Sequence, residues 1–211
     1  CVKEAEAQLL RGEASKAYVG PLGNTDFLKL LGREIFADAL DTNHESIAAM
    51  QTPGGCGALR ILAETIKAAT PNAQIWVSNP TWANHVPLLG GAGLTLQTYD
   101  YYDFTQHSVD FVAMLASLEQ ARPGDLVLLH ACCHNPSGAD LSSTQWREVL
   151  DYCKQRQLVP FIDLAYQGFA ESLDVDAFGI RQAVAALPEV LIAVSCSKNF
   201  GLYREIGRAH V

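Results

Sequence analysis

The sequence predicts an α/β fold, a mostly parallel sheet with helices on both faces, and three observations carry that reading. From about residue 47 onward, short β-branched or apolar runs alternate with longer amphipathic ones, the pattern of strands joined by crossover helices. The chain has 211 residues, 49% hydrophobic and 18% charged, which is enough apolar material for one large buried core. The residues able to do chemistry follow the strand runs, where the loops of such sheets gather and bind ligands.

The elements follow in order. Residues 1–45 read as helical and loop-like, beginning with an amphipathic stretch marked by Val2, Ala5, Leu9 and Leu10. Strands are expected at 46–51, 75–78, 94–99, 126–130, 160–163 and 190–195, short β-branched or apolar runs. Helices are expected between them at 57–68, 81–89, 110–120, 144–156 and 176–186, with Ser143 as the cap of the fourth. No internal repeat or low-complexity linker interrupts 46–205, which reads as one domain.

Charge and composition narrow the function. A net charge of -8 with no block of Lys or Arg argues against a nucleic-acid or anionic-membrane partner. No apolar run approaches the roughly 20 residues that span a bilayer. Six cysteines are too sparse for a disulfide scaffold, and Cys132 and Cys133 are adjacent, so a reducing, cytoplasmic compartment is expected.

Lys198 stands out. It sits in Ser195-Cys196-Ser197-Lys198-Asn199-Phe200-Gly201-Leu202-Tyr203, among small polar residues that end an apolar run. That setting makes it the natural Schiff-base nucleophile of the chain. Pro53-Gly54-Gly55-Cys56-Gly57 joins the first expected strand to a helix, so backbone N–H groups could approach an anion at the helix N-terminus. An ordinary tight turn explains the same residues equally well. Asp163, alone, would be a helix cap or surface turn; with Tyr166 three residues on and Lys198 one helix and one strand later, all three can converge at neighbouring strand ends. Trp82, in Asn79-Pro80-Thr81-Trp82-Ala83-Asn84-His85, would by default be a core aromatic. The run His130-Ala131-Cys132-Cys133-His134 holds four potential zinc ligands, but no second knuckle partners it, so no metal is expected.

Together the Lys198 segment, His134-Asn135-Pro136-Ser137-Gly138 and Asp163-Leu164-Ala165-Tyr166-Gln167-Gly168-Phe169 resemble the pyridoxal-phosphate site of class I aminotransferases, in particular the aspartate and aromatic amino-acid branch. The resemblance implies the large domain of a fold-type I pyridoxal-phosphate-dependent transferase. It also implies pyridoxal 5'-phosphate bound through Lys198, with Asp163 facing the pyridine nitrogen and Tyr166 and Asn135 on the ring hydroxyl. Trp82 would stack on the ring and, with Asn135, meet the substrate. Gly55, Cys56 and Ser195 would hold the phosphate, and His130 would orient Asp163 from behind. Cys56 stands where the family usually has a threonine, and a thiol is the weaker donor. Tyr18 matches a tyrosine that reaches the phosphate of the other subunit, which implies a homodimer whose interface includes part of 1–45.

The reaction implied is transfer of an amino group between an α-amino acid, aspartate or aromatic, and a 2-oxo acid such as 2-oxoglutarate. Decarboxylation or elimination on the same lysine and aspartate is the alternative. The family's phosphate-binding arginine falls eight residues after the lysine, where this chain has Ile206. Residues 206–211 match no part of the family and read as the translation of a sequencing-adapter run, so a non-native tail is expected. The domain is accordingly expected to be truncated at both ends, and the 211-residue chain by itself to be inactive.

Overall fold

The computed structural model describes residues 2–13, 15, 17, 19–37 and 46–203. Helices α1 (Val2–Gly12), α2 (Thr25–Phe36) and α3 (Gly54–Ala69) precede strand β1 (Gln74–Asn79), α4 (His85–Gly90) and β2 (Thr95–Asp100). A small antiparallel pair, β3 (Tyr102–Asp103) and β4 (Ser108–Val109), leads to α5 (Phe111–Leu118) and β5 (Leu126–His130). Then come α6 (Ser143–Arg156), β6 (Val159–Leu164), α7 (Leu173–Asp176), α8 (Phe178–Ala186) and β7 (Leu191–Val194). The main sheet has order β2-β1-β5-β6-β7, and every neighbouring pair is parallel. The α/β class read from the sequence is the observed one.

Alternation along the strands builds two cores. Ile75, Val77, Leu126, Leu128 and Phe161 point to the face covered by α3 and α4, where they meet Leu59, Ala63, Ile66 and Leu89. Trp76, Val127, Leu129 and Ile162 point the other way, onto Met114, Leu118, Trp146, Val149, Leu150 and Ile180 of α5, α6 and α8. Successive residues of one strand are therefore both buried, which is why β5 and β6 read as continuous apolar runs. Arg181 ties α2 to α8 through the carbonyls of Glu34 and Ile35, at 3.1 and 2.9 Å.

The second core has one contact where a single methyl group decides packing. A Cβ built on Gly179 would lie 2.5–2.6 Å from three ring carbons of the buried Trp146. Gly179→Ala is expected to destabilise the fold by about 2–3 kcal/mol through overpacking. A lower urea midpoint at unchanged m-value would report this, and an unchanged midpoint would contradict it.

Local details depart from the sequence expectations for identifiable reasons. Residues 46–51 are not a strand, so the glycine-rich segment does not follow one. A strand needs a hydrogen-bonding neighbour. Instead, residues 47–53 line one wall of a cavity of about 890 Å³ whose other wall includes Val190, Ile192 and Val194 at the edge of the sheet. Gln51 N–H donates to Leu22 O at 2.9 Å. The helix that follows starts at Gly54, three residues earlier than expected. The helix expected at 81–89 begins at His85, because Pro80 to Asn84 form a turn closed by His85 N–H on Trp82 O at 2.9 Å. Ser142, not Ser143, caps α6, in a capping box with Gln145. The helix expected at 176–186 is observed as α8, starting at Phe178 and preceded across Ala177 by the short α7, because the Asp176 carboxylate accepts the N–H groups of Gly168, Ala170 and Glu171.

Candidate active site

From β1 the chain moves to β2 on one side and later to β5 on the other, so the strand order reverses between β1 and β5. In an open parallel sheet the crevice at the carboxyl ends of those strands is where ligands bind. The loops there carry Trp82 after β1 and Asn135 after β5, while Asp163 and Tyr166 end and follow β6, and Ser195 and Lys198 follow β7.

Four of these side chains form the centre. Lys198 Nζ lies 4.2 Å from the Tyr166 ring centroid and 5.9 Å from that of Trp82. Cation–π attraction holds a protonated amine in such a position. Asp163 is 9% exposed, and its backbone lies between those of His130 and Ala193 on the flanking strands. The amino end of α3 abuts the same region, since a Cβ on Gly55 would sit 3.0 Å from Ser195 Cβ. That helix has no side-chain cap and no acidic residue in its first turn, and Cys56 lies exposed there. Ser195 is buried, and its Oγ accepts Ser197 N–H at 3.2 Å. Tyr18 lies outside the described residues, as do residues 204–211.

The imidazole that meets Asp163 belongs to His85, not to His130. His85 Nε2 is 3.1 Å from Asp163 Oδ2, and its Nδ1 is 2.8 Å from Thr81 Oγ1. His130 Nε2 reaches only Thr81 Oγ1, at 3.4 Å, while its Nδ1 accepts Asn135 N–H at 3.3 Å. The carboxylate can only accept, so His85 donates from Nε2; with a neutral ring its Nδ1 accepts from the Thr81 hydroxyl, and that oxygen in turn accepts from His130 Nε2–H. The result is one directed chain of hydrogen bonds from the Asn135 backbone through His130, Thr81 and His85 to Asp163.

Sequence reading missed His85 and Thr81, although both lie in the run quoted around Trp82. The signal was their spacing: His85 opens a helix three residues after Trp82, which turns its ring back toward the strand ends.

Burial keeps the neighbouring imidazoles neutral. His134 titrates at about 4, chiefly because it is desolvated and secondarily because His85 is near. His130 is pushed well below its usual value by burial, with His134 and His85 adding to the effect. The unfolded chain binds these protons near pH 6.5 and the folded chain does not, so stability is lost as pH falls from about 6.5 toward 4. For His134 alone the expected loss is about 3 kcal/mol. Chemical denaturation at stepped pH checks this: His134→Phe should flatten the slope in that window, and an unchanged slope would contradict the assignment.

With this geometry in place, comparison with known proteins is decisive. The model of the class I and II aminotransferase family matches residues 1–207. The chain belongs to that family. It is 48% identical over 204 residues to a tyrosine aminotransferase of Rhizobium meliloti, a match covering 97% of this chain and 52% of the relative. It is 44% identical over 205 residues to an aspartate aminotransferase of Salmonella typhi, covering 97% and 52%. Among solved structures, the aromatic-amino-acid aminotransferase from Burkholderia pseudomallei covalently bound to pyridoxal phosphate superposes with a TM-score of 0.93 at 38% identity, covering 97% of this chain and 52% of that one. The chain spans about half the length of the aminotransferases it matches.

Proposed function

We propose that the protein carrying this chain transfers an amino group between an α-amino acid, aspartate or aromatic, and a 2-oxo acid such as 2-oxoglutarate, using pyridoxal 5'-phosphate. The observation that carries the reading is the position of Lys198 Nζ over Tyr166 and near Trp82, with the buried Asp163 carboxylate on the adjoining strand.

The residues present fit that cofactor. The uncapped N-terminus of a 16-residue helix, a glycine whose Cβ would strike Ser195, and the Ser195 hydroxyl form a cradle suited to a phosphate. Gly55, Cys56 and Ser195 would hold that group, with Tyr18 reaching it from a second subunit. Lys198 would carry the cofactor, Trp82 would pack on its ring, Asp163 would meet the ring nitrogen, and Asn135 and Tyr166 the ring hydroxyl. When bound, pyridoxal phosphate supplies an electron sink for the charge left when the substrate α-carbon loses its proton.

The remaining work falls to this chain's side chains. The Lys198 amine would take the proton from the substrate α-carbon and return it, as the one lysine among the described residues placed at these strand ends. His85 fixes one oxygen of Asp163, and so the orientation of that side chain, at the end of β6. Trp82, half-buried, contributes an apolar wall that excludes water and, with Asn135, positions the substrate.

A homodimer in the cytoplasm completes the reading. Leu9 and Leu10 of α1 are 63% and 85% exposed, which suits a helix covered by a partner. Cys56, Cys132, Cys133, Cys153 and Cys196 are free thiols, which suits a reducing compartment. The test is the product. Supplied with 2-oxoglutarate and either aspartate or an aromatic amino acid, the protein is expected to form glutamate; release of carbon dioxide or ammonia without glutamate would overturn the proposal in favour of decarboxylation or elimination.

A further inference from the structure

His134 takes no part in the chain of hydrogen bonds that ends at Asp163, yet it is 2% exposed and both its ring nitrogens are engaged. Nε2 lies 2.9 Å from the hydroxyl of Ser78 on β1, and Nδ1 lies 2.7 Å from that of Ser137 in the loop after β5. Its ring stacks on Tyr101 with centroids 4.1 Å apart, and Tyr101 O–H donates to Ala139 O at 2.7 Å. The backbone of the same loop is held from outside, where Asp140 accepts Cys133 N–H and His134 N–H, each at 2.7 Å. Ser137 Oγ also accepts Ala139 N–H at 3.2 Å.

These contacts span the point where the strand order reverses. Ser78 belongs to the strand whose following loop carries Trp82, and Ser137 belongs to the loop that carries Asn135. A neutral imidazole suits the place, because one nitrogen donates and the other accepts while each serine hydroxyl supplies the complementary role. From this arrangement we infer that His134 is a positioning residue, which clamps the Asn135 loop to the end of β1 and so sets Asn135 against the cofactor. The inference rests on the reading of Asn135 under the proposed function. Ser78 Oγ and Ser137 Oγ act through the same ring.

His134→Phe keeps the stack on Tyr101 and removes both hydrogen bonds, so it isolates the clamp. The pyridoxal-phosphate-loaded protein is titrated with pH while the visible absorption of the bound cofactor is followed, and thermal melting is recorded in parallel. Asn135→Ala is expected to move the absorption midpoint by about one pH unit, the scale of one lost hydrogen bond. His134→Phe is expected to move it in the same direction by at least about half as much, and the double variant to add little, since the two changes act on one contact. Cofactor affinity should fall by up to about tenfold in each. Should His134→Phe fail to accumulate as folded protein, Ser137→Ala replaces it, with a smaller shift expected in the same direction. If His134→Phe, or Ser137→Ala in its place, lowers the melting temperature but leaves the midpoint at the parent value, the residue is merely structural and the inference is overturned. If Asn135→Ala itself leaves the midpoint unmoved, the cofactor-facing role of Asn135 fails and this inference fails with it.

Discussion

Replacing Lys198 with alanine is expected to lower the rate of amino-group transfer by at least about 10⁴-fold, the upper range of what one positioned acid–base group supplies. The size follows from the lack of a substitute. Among the described residues the other lysines are Lys3, Lys29, Lys67 and Lys154, all on helices. Lys67 and Lys154 lie in the last turns of α3 and α6, and Lys67 Nζ bonds Pro71 O at 2.7 Å ahead of β1, at the opposite end of the sheet. Lys198→Arg should be nearly as damaging, since a guanidinium stays protonated and cannot accept the α-proton. Because Lys198 is half-buried and makes ring contacts rather than core contacts, neither change should shift the melting temperature by more than a few degrees. A Lys198→Ala variant that retained transfer within tenfold of the parent would remove Lys198 from the mechanism.

The second large effect is expected at Asp163. Asp163→Asn preserves shape and leaves His85 Nε2–H an acceptor, so the fold should hold while the site loses its buried negative charge. Removing one preorganised electrostatic partner costs about 10²–10³-fold in rate, and kcat/KM for the asparagine variant should fall into that range. Asp163→Ala should do worse and also lose stability, because the buried His85 is then left with an unsatisfied N–H. An asparagine variant as fast as the parent would show that the carboxylate charge is not used.

These residues also show how far the sequence alone could be read. The strands near 75–78, 126–130, 160–163 and 190–195 were legible because a parallel sheet buried on both faces leaves unbroken apolar runs. Lys198, Asp163, Tyr166, Trp82 and Asn135 could be nominated as a set because they lie at or just after the ends of four strands, β1, β5, β6 and β7, which the topology gathers. What failed depended on distance across the fold. Residues 46–51 hold a short apolar run but face a cavity, and an apolar run does not reveal whether a neighbouring strand is present. His130 and His85 are equally plausible partners for Asp163 on paper; only the turn at Trp82 and the start of α4 decide that His85 reaches the carboxylate and His130 stops at Thr81. The cap at Ser142 rather than Ser143 turned on which serine has Gln145 three residues ahead.

The central claim is that Lys198 is the amine that carries pyridoxal phosphate, and one measurement addresses it directly. The protein carrying this chain is mixed with pyridoxal phosphate, reduced with borohydride, digested, and its peptides are mapped by mass spectrometry. A single cofactor-bearing peptide that contains Lys198 is predicted, absent from the Lys198→Ala variant. Label on another lysine, or equal label in parent and variant, would contradict the account.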